Sequence, residues 1–394
     1  MKGGNVMNNF VFHNPTKIIF GKGTISEIGK EIKNVAIKKV LLLYGGGSIK
    51  KNGVYDTVVE SLKDNGIEWV EVSGVVPNPV LSKVHEGVEI AKKENVGAIL
   101  AVGGGSVIDS GKAIAAGFYY DGDIWDAYIE KYTITKALPL FVVLTLSATG
   151  SEMNGNSVIT NEKTKQKFAV RGAVYPTVSI IDPSAQFSLP KEQVVYGAVD
   201  IITHVLENYF DHTKDTEIQD RISESLVRTV MNNTEKILQN PTDYEARAQF
   251  AWCGTLALNG LTAAGKSGGD WASHRIEHSL SALYGIAHGA GLAIISPAWM
   301  KYVYKEYLEK FVRFAEKIFG IIEGNDEEKV LKGIESLKEW YKKIGAPVSL
   351  KDANIPKEDI EKIVENVCML KLPLGNIKKL YKDDIREILK IAAD

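Results

Sequence analysis

The chain changes its hydrophobic period partway along. Up to about residue 182, short β-branched or aliphatic runs alternate with amphipathic stretches. "KVLLLYG" (39–45), "GIEWVEVSG" (66–74), "GAILAVGGG" (97–105), "LPLFVVLTL" (138–146) and "TVSIID" (177–182) read as strands. Between them, "VYDTVVESLKDNG" and "SKVHEGVEIAKKENV" carry apolar residues at helical spacing. Strand, helix and strand in succession make βαβ units and therefore a mostly parallel sheet. Runs that are apolar on both faces suit a sheet covered by helices on each side.

After "IDPSAQFSLP" (181–190), bracketed by Pro183 and Pro190, strand-like runs become rare and the helical period dominates. "KEQVVYGAVDIITHVLENYF", "IQDRISESLVRTVMNNTEKILQ", "DYEARAQFAWCGTLALNGLTAAG" and "DEEKVLKGIESLKEWYKKIG" each predict one helix, the last stopped by Gly345. The pattern divides the chain into an α/β domain over 1–185 and an all-helical domain over 186–394, with no internal repeat. At 394 residues there is enough chain for two cores.

Charge narrows the ligand class. Lys+Arg 47 against Asp+Glu 49 gives a net charge of -2, with no basic face for nucleic acid or an anionic membrane, so a small ligand is expected. Cys253 and Cys368 stand far apart, which argues against a disulfide framework or a Cys-based zinc site and fits a reducing cytoplasm. The N-terminal "MKGGNVMNNFVFHNP" lacks the apolar run of a signal peptide, and no segment approaches the roughly 18 apolar residues of a membrane span. Residues 1–6 read as an upstream start or a leader, since Met7 opens an equally good chain.

Two glycine loops follow predicted strands. In "LAVGGGSVIDSGKAIAA", Gly103, Gly104, Gly105 and Ser106 lie between a strand and a helix. There the backbone can approach a pyrophosphate, and the helix start favours its charge. Ile108 breaks the G-x-G-x-x-G fingerprint, and a plain strand-to-helix turn is the other reading. In "LLLYGGGSIKKNG", Gly45, Gly46, Gly47 and Ser48 precede Lys50 and Lys51. No acidic residue stands in that loop to hold ribose hydroxyls and repel a 2′-phosphate, so NADP(H) is expected over NAD(H). A surface turn with solvated lysines is the alternative.

Asp200 and His204 in "GAVDIITHVLE" are four apart and share a helix face, as do His274 and His278 in "DWASHRIEHSLSALYGIAHG". His288 follows after the Tyr284-Gly285 break, where a turn can return it toward His274. Each histidine alone reads as an ordinary core or surface imidazole. Together, Asp-x3-His and His-x3-His-x9-His in one helical half point to a metal. One carboxylate with three imidazoles suits Fe²⁺, Zn²⁺, Co²⁺, Ni²⁺ or Mn²⁺, whereas Mg²⁺ and Ca²⁺ want more oxygens.

Over nearly its whole length, through "FVFHNPTKIIFG", "YGGGSIKKNGV", "VPNPV", "AVGGGSVIDSGKAIAA", "LTLSATGSE", "AVDIITHVLE" and "DWASHRIEHSLSALYGIAHG", the sequence resembles the iron-containing (group III) alcohol dehydrogenase family. The likeness is to its butanol dehydrogenase and NADPH-dependent aldehyde reductase branch. It implies a Rossmann-like domain followed by an all-helical metal-binding domain, as in dehydroquinate synthase-like architectures. It also implies metal ligands at Asp200, His204, His274 and His288, holding Fe²⁺ or Zn²⁺, with His278 beside the reacting carbon. Cofactor contacts fall on Gly104, Gly105, Ser106 and Asp109, on Thr145 and Thr149, on Asn78, and on Asn154, Val158 and Lys167 of a hairpin flanking the nicotinamide. Gly46 stands where many relatives have Asp, as in the NADPH-preferring branch. Leu146 replaces a threonine of the family's "TTAGTGSE" and supplies no hydroxyl.

The activity expected is metal-dependent hydride transfer between NAD(P)(H) and short-chain alcohols or aldehydes such as butanol and butanal, in a cleft between the halves. His278 is the candidate proton relay, its other role being to shape the pocket. Trp271 and Trp252 are candidate pocket walls or core aromatics. The resemblance also implies a homodimer, possible through N-terminal strands such as "FVFHNP". The rivals are a polyol dehydrogenase, a dehydroquinate synthase-like lyase, and a sensor or metal store without turnover. A lyase acting on a phosphorylated polycarboxylate would want extra cations, and only Arg275 and Lys266 lie near the candidate ligands in sequence.

Overall fold

The computed structural model describes residues 6–394, so the candidate leader over 1–6 falls, but for Val6, outside the described residues. Among the described residues eight strands form: β1 (Lys17–Phe20), β2 (Lys39–Tyr44), β3 (Glu68–Val72), β4 (Ala98–Gly103), β5 (Leu140–Leu144), β6 (Ser157–Asn161), β7 (Gln166–Val170) and β8 (Val178–Ile181). Six of them make one parallel sheet in the order β1-β8-β5-β4-β2-β3, and β6 and β7 pair as an antiparallel hairpin.

Both faces of the sheet are covered, as the doubly apolar runs require. Leu41, Leu43, Ile99, Ala101, Leu140 and Val142 enter one core. Their neighbours Val40, Leu42, Ala98, Leu100, Phe141 and Val143 enter a second. Alternate residues of a strand point to opposite faces, so one continuous run feeds two cores.

β1 was not foreseen. Its four residues, "KIIF", are half-exposed at the sheet edge beside β8, too short to show a period. "FVFHNP" itself has no regular structure.

Among the helices, Lys191–Tyr209, Glu217–Gln239 and Asp326–Ile344 lie where the periodicity puts them. Asn325 closes a capping box at the start of the last, and Gly345 ends it at φ 95. The helix expected over 243–265 stops at Ala257. Beyond it Gly260 (φ 96) and Gly265 (φ 75) take left-handed turns that a helix cannot hold.

Two compact units result, and they are not the two sides of one cut at 185/186. One contains His13–Pro190 with Lys236–Asn259, and the other Lys191–Glu235 with Gly260–Asp394 and the described residues up to Phe12. Helix Tyr244–Ala257 joins the sheet unit because Ala251 is part of its core, Thr255 Oγ1 donates to Glu152 (2.7 Å), and Trp252 packs on Phe20. Asn8 joins the helical unit through its backbone amide, which donates a hydrogen bond to the Gly265 carbonyl (2.9 Å). Hydrophobic period reveals a helix but not its packing partner. Among the described residues, no helix is long and apolar enough to cross a membrane.

Candidate metal centre and glycine loops

Helix Lys191–Tyr209 carries Asp200 and His204 one turn apart, and both are buried. Helix Ala272–Tyr284 starts just after Trp271, which is left-handed (φ 66), and presents His274 in its first turn. Gly285 (φ 67) ends that helix, and His288 opens the next, His288–Val303. A Cβ on Gly289 would stand 2.0 Å from the Tyr196 carbonyl oxygen, one turn before Asp200. Glycine therefore lets this helix approach the Asp200 helix closely enough to bring His288 in. Gly289→Ala is expected to destabilise the fold by about 2 kcal/mol, read as a lowered urea midpoint with unchanged m.

The four groups converge. Asp200 Oδ1 lies 3.5 Å from His204 Nδ1, 3.8 Å from His274 Nε2 and 3.6 Å from His288 Nε2. Asp200 Oδ1, His204 Nδ1 and His274 Nε2 are buried without a hydrogen-bond partner. Buried polar atoms are ordinarily satisfied. Three lone-pair atoms facing one point, with a fourth beside them, make a donor set suited to a divalent cation of the borderline class.

Electrostatics agree. Burial raises the Asp200 carboxyl, yet His204, His274 and His288 outweigh it and hold the group well below the usual carboxylate range. Burial pushes His204 down to about 3. His274 is lifted to about 9 because, against its burial, Asp200 and Glu207 favour the charged ring. Without a cation the cluster keeps a proton on His274, and a bound divalent ion would replace it.

Two carboxylates unnoticed in the sequence complete the arrangement. Glu207 Oε1 accepts from His274 Nδ1 (2.9 Å), and Glu277 Oε2 accepts from His288 Nδ1. Glu207 stands three residues after His204 and Glu277 three after His274, but each pairs with a histidine of another helix, which helical spacing does not show.

His278 is half-buried with its ring 5.6 Å from that of His288, beside the ligand set and not within it. Trp271 lies against the cluster, 5.3 Å from the His274 ring and 6.2 Å from that of His204. Trp252, by contrast, is 38% exposed in the sheet unit. Lys266 is committed to Asp220 (2.9 Å) and the Asn208 carbonyl (3.1 Å).

In the sheet unit, Gly104 caps helix Gly105–Gly117 in an extended conformation, immediately after β4. The first amides of that helix, at Gly105 and Ser106, lack intrahelical acceptors, which suits an anion. A Cβ on Gly105 would stand 2.4 Å from Thr149 Oγ1. Gly105→Ala should therefore displace the Thr149 loop and raise KM for the nucleotide about tenfold while metal content stays the same, checked by steady-state kinetics beside elemental analysis.

Asp109 lies buried in the second turn of helix Gly105–Gly117. Its Oδ1 accepts from Ser151 Oγ (2.5 Å) and its Oδ2 from the Val158 amide (2.9 Å), and burial raises its carboxyl. It holds the loop. Lys112, another residue unnoticed in the sequence, lies beneath: its Nζ donates to Ser151 Oγ (2.7 Å), Asn154 O (2.8 Å) and Asn156 O (2.7 Å). Burial lowers it to about 8. Asn154 Nδ2 in turn donates to the Gly150 carbonyl (2.8 Å), Thr145 donates its amide to Gly103 O (3.0 Å), and Lys167 on β7 donates to Asn78 Oδ1 (2.9 Å). Asn78, Gly104, Gly105, Thr149, Asn154, Val158 and Lys167 thus belong to one connected assembly around helix Gly105–Gly117. Lys112→Met leaves several buried acceptors unpaired and is expected to cost about 3 kcal/mol by urea denaturation.

The first loop is more open. Gly45 hydrogen-bonds Gly74 (3.0 Å), while a Cβ on Gly46 or Gly47 would meet nothing within 4 Å. Ser48 begins a single helical turn. Lys50 lies 3.5 Å from Glu71 and 4.4 Å above the Tyr55 ring.

The chain is similar to known proteins over nearly its whole length. Residues 15–183 match the family described as iron-containing alcohol dehydrogenase, and residues 194–393 match the C-terminal part of the same family. A probable NADH-dependent butanol dehydrogenase 1 of Bacillus subtilis is 46% identical over 98% of this chain and 99% of its own. The NADPH-dependent aldehyde reductase YqhD of Escherichia coli is 38% identical over 92% and 93%. The crystal structure of NADH-dependent butanol dehydrogenase A from Thermotoga maritima superposes with a TM-score of 0.97 at 67% identity, covering 99% of this chain and 100% of that one.

Proposed function

The chain belongs to the iron-containing alcohol dehydrogenase family, and we propose that it interconverts short-chain primary alcohols and aldehydes through one divalent ion held by Asp200, His204, His274 and His288. It is an NAD(P)-dependent oxidoreductase. The observation that carries the site assignment is the convergence of buried, unpartnered Asp200 Oδ1, His204 Nδ1 and His274 Nε2.

When bound, the ion, Fe²⁺ or Zn²⁺, supplies Lewis acidity to the substrate oxygen, and the nicotinamide supplies or accepts hydride. The protein's own groups do the rest. Gly104, Gly105 and Ser106 hold the pyrophosphate at the helix start. Asn78, Thr145, Thr149, Asn154, Val158 and Lys167 form the polar surround of the nicotinamide end, with Asp109 as a brace behind them. Trp271 gives the pocket an apolar wall that excludes water. His278 moves the proton that the alcohol oxygen gains in reduction or loses in oxidation.

The first loop, Gly45, Gly46, Gly47 and Ser48, accepts the adenosine ribose. Its lack of an acidic side chain and the space around Gly46 and Gly47 support NADP(H) as the preferred cofactor. Names of relatives divide on the point, with NADH-dependent butanol dehydrogenases and an NADPH-dependent aldehyde reductase among them. We take the enzyme as a cytoplasmic homodimer, a reading supported by free Cys253 and Cys368 and by exposed Phe10, Val11 and Phe12. Relatives named butanol dehydrogenase and aldehyde reductase do not favour the polyol reading, and Lys266, one of the two cations near the ligands in sequence, is spent on Asp220, which counts against the lyase.

The test is steady-state assay of butanal with NADPH or NADH, and of butanol with the oxidised cofactors, beside glycerol. Turnover of the butanal pair supports the reading. Turnover of glycerol alone would replace it with a polyol dehydrogenase, and none at all would leave a sensor or metal store. His278→Ala should lower kcat roughly 10²-fold while metal content is kept.

A further inference from the structure

Two of the three histidine ligands are each pinned from behind by a buried carboxylate that has no place among the ligands. Glu207 accepts from His274 Nδ1 (2.9 Å), from the His274 amide (3.2 Å) and from the Trp271 amide (2.5 Å). One side chain thereby fixes both the imidazole and the first turn of the helix that carries it. Glu277 accepts from His288 Nδ1 and from Ser281 Oγ. Ser281 Oγ also lies 3.2 Å from the Ile286 carbonyl, across the Gly285 break. Both carboxylates are almost wholly buried, at 2% and 0% exposure.

In the neutral rings the carboxylates favour one tautomer. A proton donated from Nδ1 to a carboxylate leaves Nε2 with a lone pair, and Nε2 is the atom that faces Asp200 in both His274 and His288. His204 presents Nδ1 instead, and no carboxylate other than Asp200 pairs with it among the described residues.

The chain makes room for these two groups. A Cβ on Gly291 would stand 2.6 Å from Glu277 Oε1, and one on Gly269 would stand 2.6 Å from the Glu207 carbonyl oxygen. The loop after Gly375 bonds Asp270, next to Trp271, through the Asn376 (2.7 Å) and Ile377 (2.8 Å) amides. That anchors the segment on which Glu207 acts.

We infer that Glu207 and Glu277 are positioning residues for the metal. They hold His274 and His288 with Nε2 toward the ion and so set how tightly it is held. This inference rests on the reading of Asp200, His204, His274 and His288 as ligands. It assigns neither carboxylate a contact with substrate or ion.

The test titrates metal-free protein with Co²⁺ and with Zn²⁺ against a chromophoric chelator, for the parent, Glu207→Gln and Glu277→Gln. Each variant is expected to bind roughly 10- to 100-fold more weakly. At saturating Co²⁺ its visible absorption bands should shift, because the ring facing the ion has lost its carboxylate partner. At saturating metal, kcat should change by a smaller factor than affinity does. Gly291→Ala, which crowds Glu277 without removing its charge, should weaken binding in the same direction and keeps the test open if a Gln variant fails to fold. Parent-like affinity and parent-like Co²⁺ bands in the folded variants would overturn the inference, even if their melting temperature had fallen. Failure of the parent to bind either ion would instead overturn the ligand assignment itself, which separates the two.

Discussion

Replacing Asp200 by alanine is expected to remove metal and turnover together. Asp200 is the one carboxylate among the converging donors, lying 3.5, 3.8 and 3.6 Å from the three imidazole nitrogens. Without it, three imidazoles, two of them buried, would have to hold a divalent cation with no compensating negative charge in direct contact. Lewis-acid stabilisation of a developing alkoxide is worth several kcal/mol. At about 1.4 kcal/mol per tenfold in rate, its loss should lower kcat/KM by roughly three orders of magnitude or more. His274→Ala should do the same, because it removes both a donor and the partner of Glu207. Elemental analysis of purified protein beside the aldehyde assay reads both effects, and a fully active, metal-free variant would sink the assignment.

A second large effect is expected in the sheet unit. Gly46→Asp puts a carboxylate into the open first loop, where Cβ meets no neighbour within 4 Å and the side chain can be accommodated. Beside a 2′-phosphate the two negative groups repel, by about 4 kcal/mol for a pair of unit charges roughly 4 Å apart near a protein surface. Screening and side-chain movement reduce that figure. We expect kcat/KM for NADPH to fall about 10²-fold, with NADH unchanged or improved through the ribose hydroxyls. An unchanged NADPH/NADH ratio would remove the first loop from the account of cofactor choice.

Most of the sheet was legible because β2, β4, β5 and β8 are short aliphatic runs bounded by turn signals, and the long helices because their period persists over many turns. β1 was hidden by its length and edge position. The end of helix Tyr244–Ala257 was hidden because "LALNGLTAAG" remains apolar after the backbone has turned. The same helix shows why a linear cut could not give the units, since its partner Glu152 lies 103 residues earlier.

The i, i+4 spacing of Asp200 with His204, and the glycine break before His288, were readable in the sequence, while the choice of the four groups came with the family resemblance. Glu207, Glu277 and Lys112 were not read, for a different reason. Glu207 meets His274 across 67 residues, and Lys112 meets Asn154 across 42, so their roles exist only in the packed chain. Lys50, beside the glycines in sequence, lies 3.5 Å from Glu71 and 4.4 Å above the Tyr55 ring, contacts that sequence position alone does not show.

The most direct test of the central claim is butanal-dependent oxidation of NADPH, with NADH beside it, by protein stripped of metal and then reloaded with Fe²⁺ or Zn²⁺. The account predicts loss of turnover on stripping, recovery on reloading, and no recovery in Asp200→Ala. Undiminished turnover in protein shown to be free of metal would contradict it.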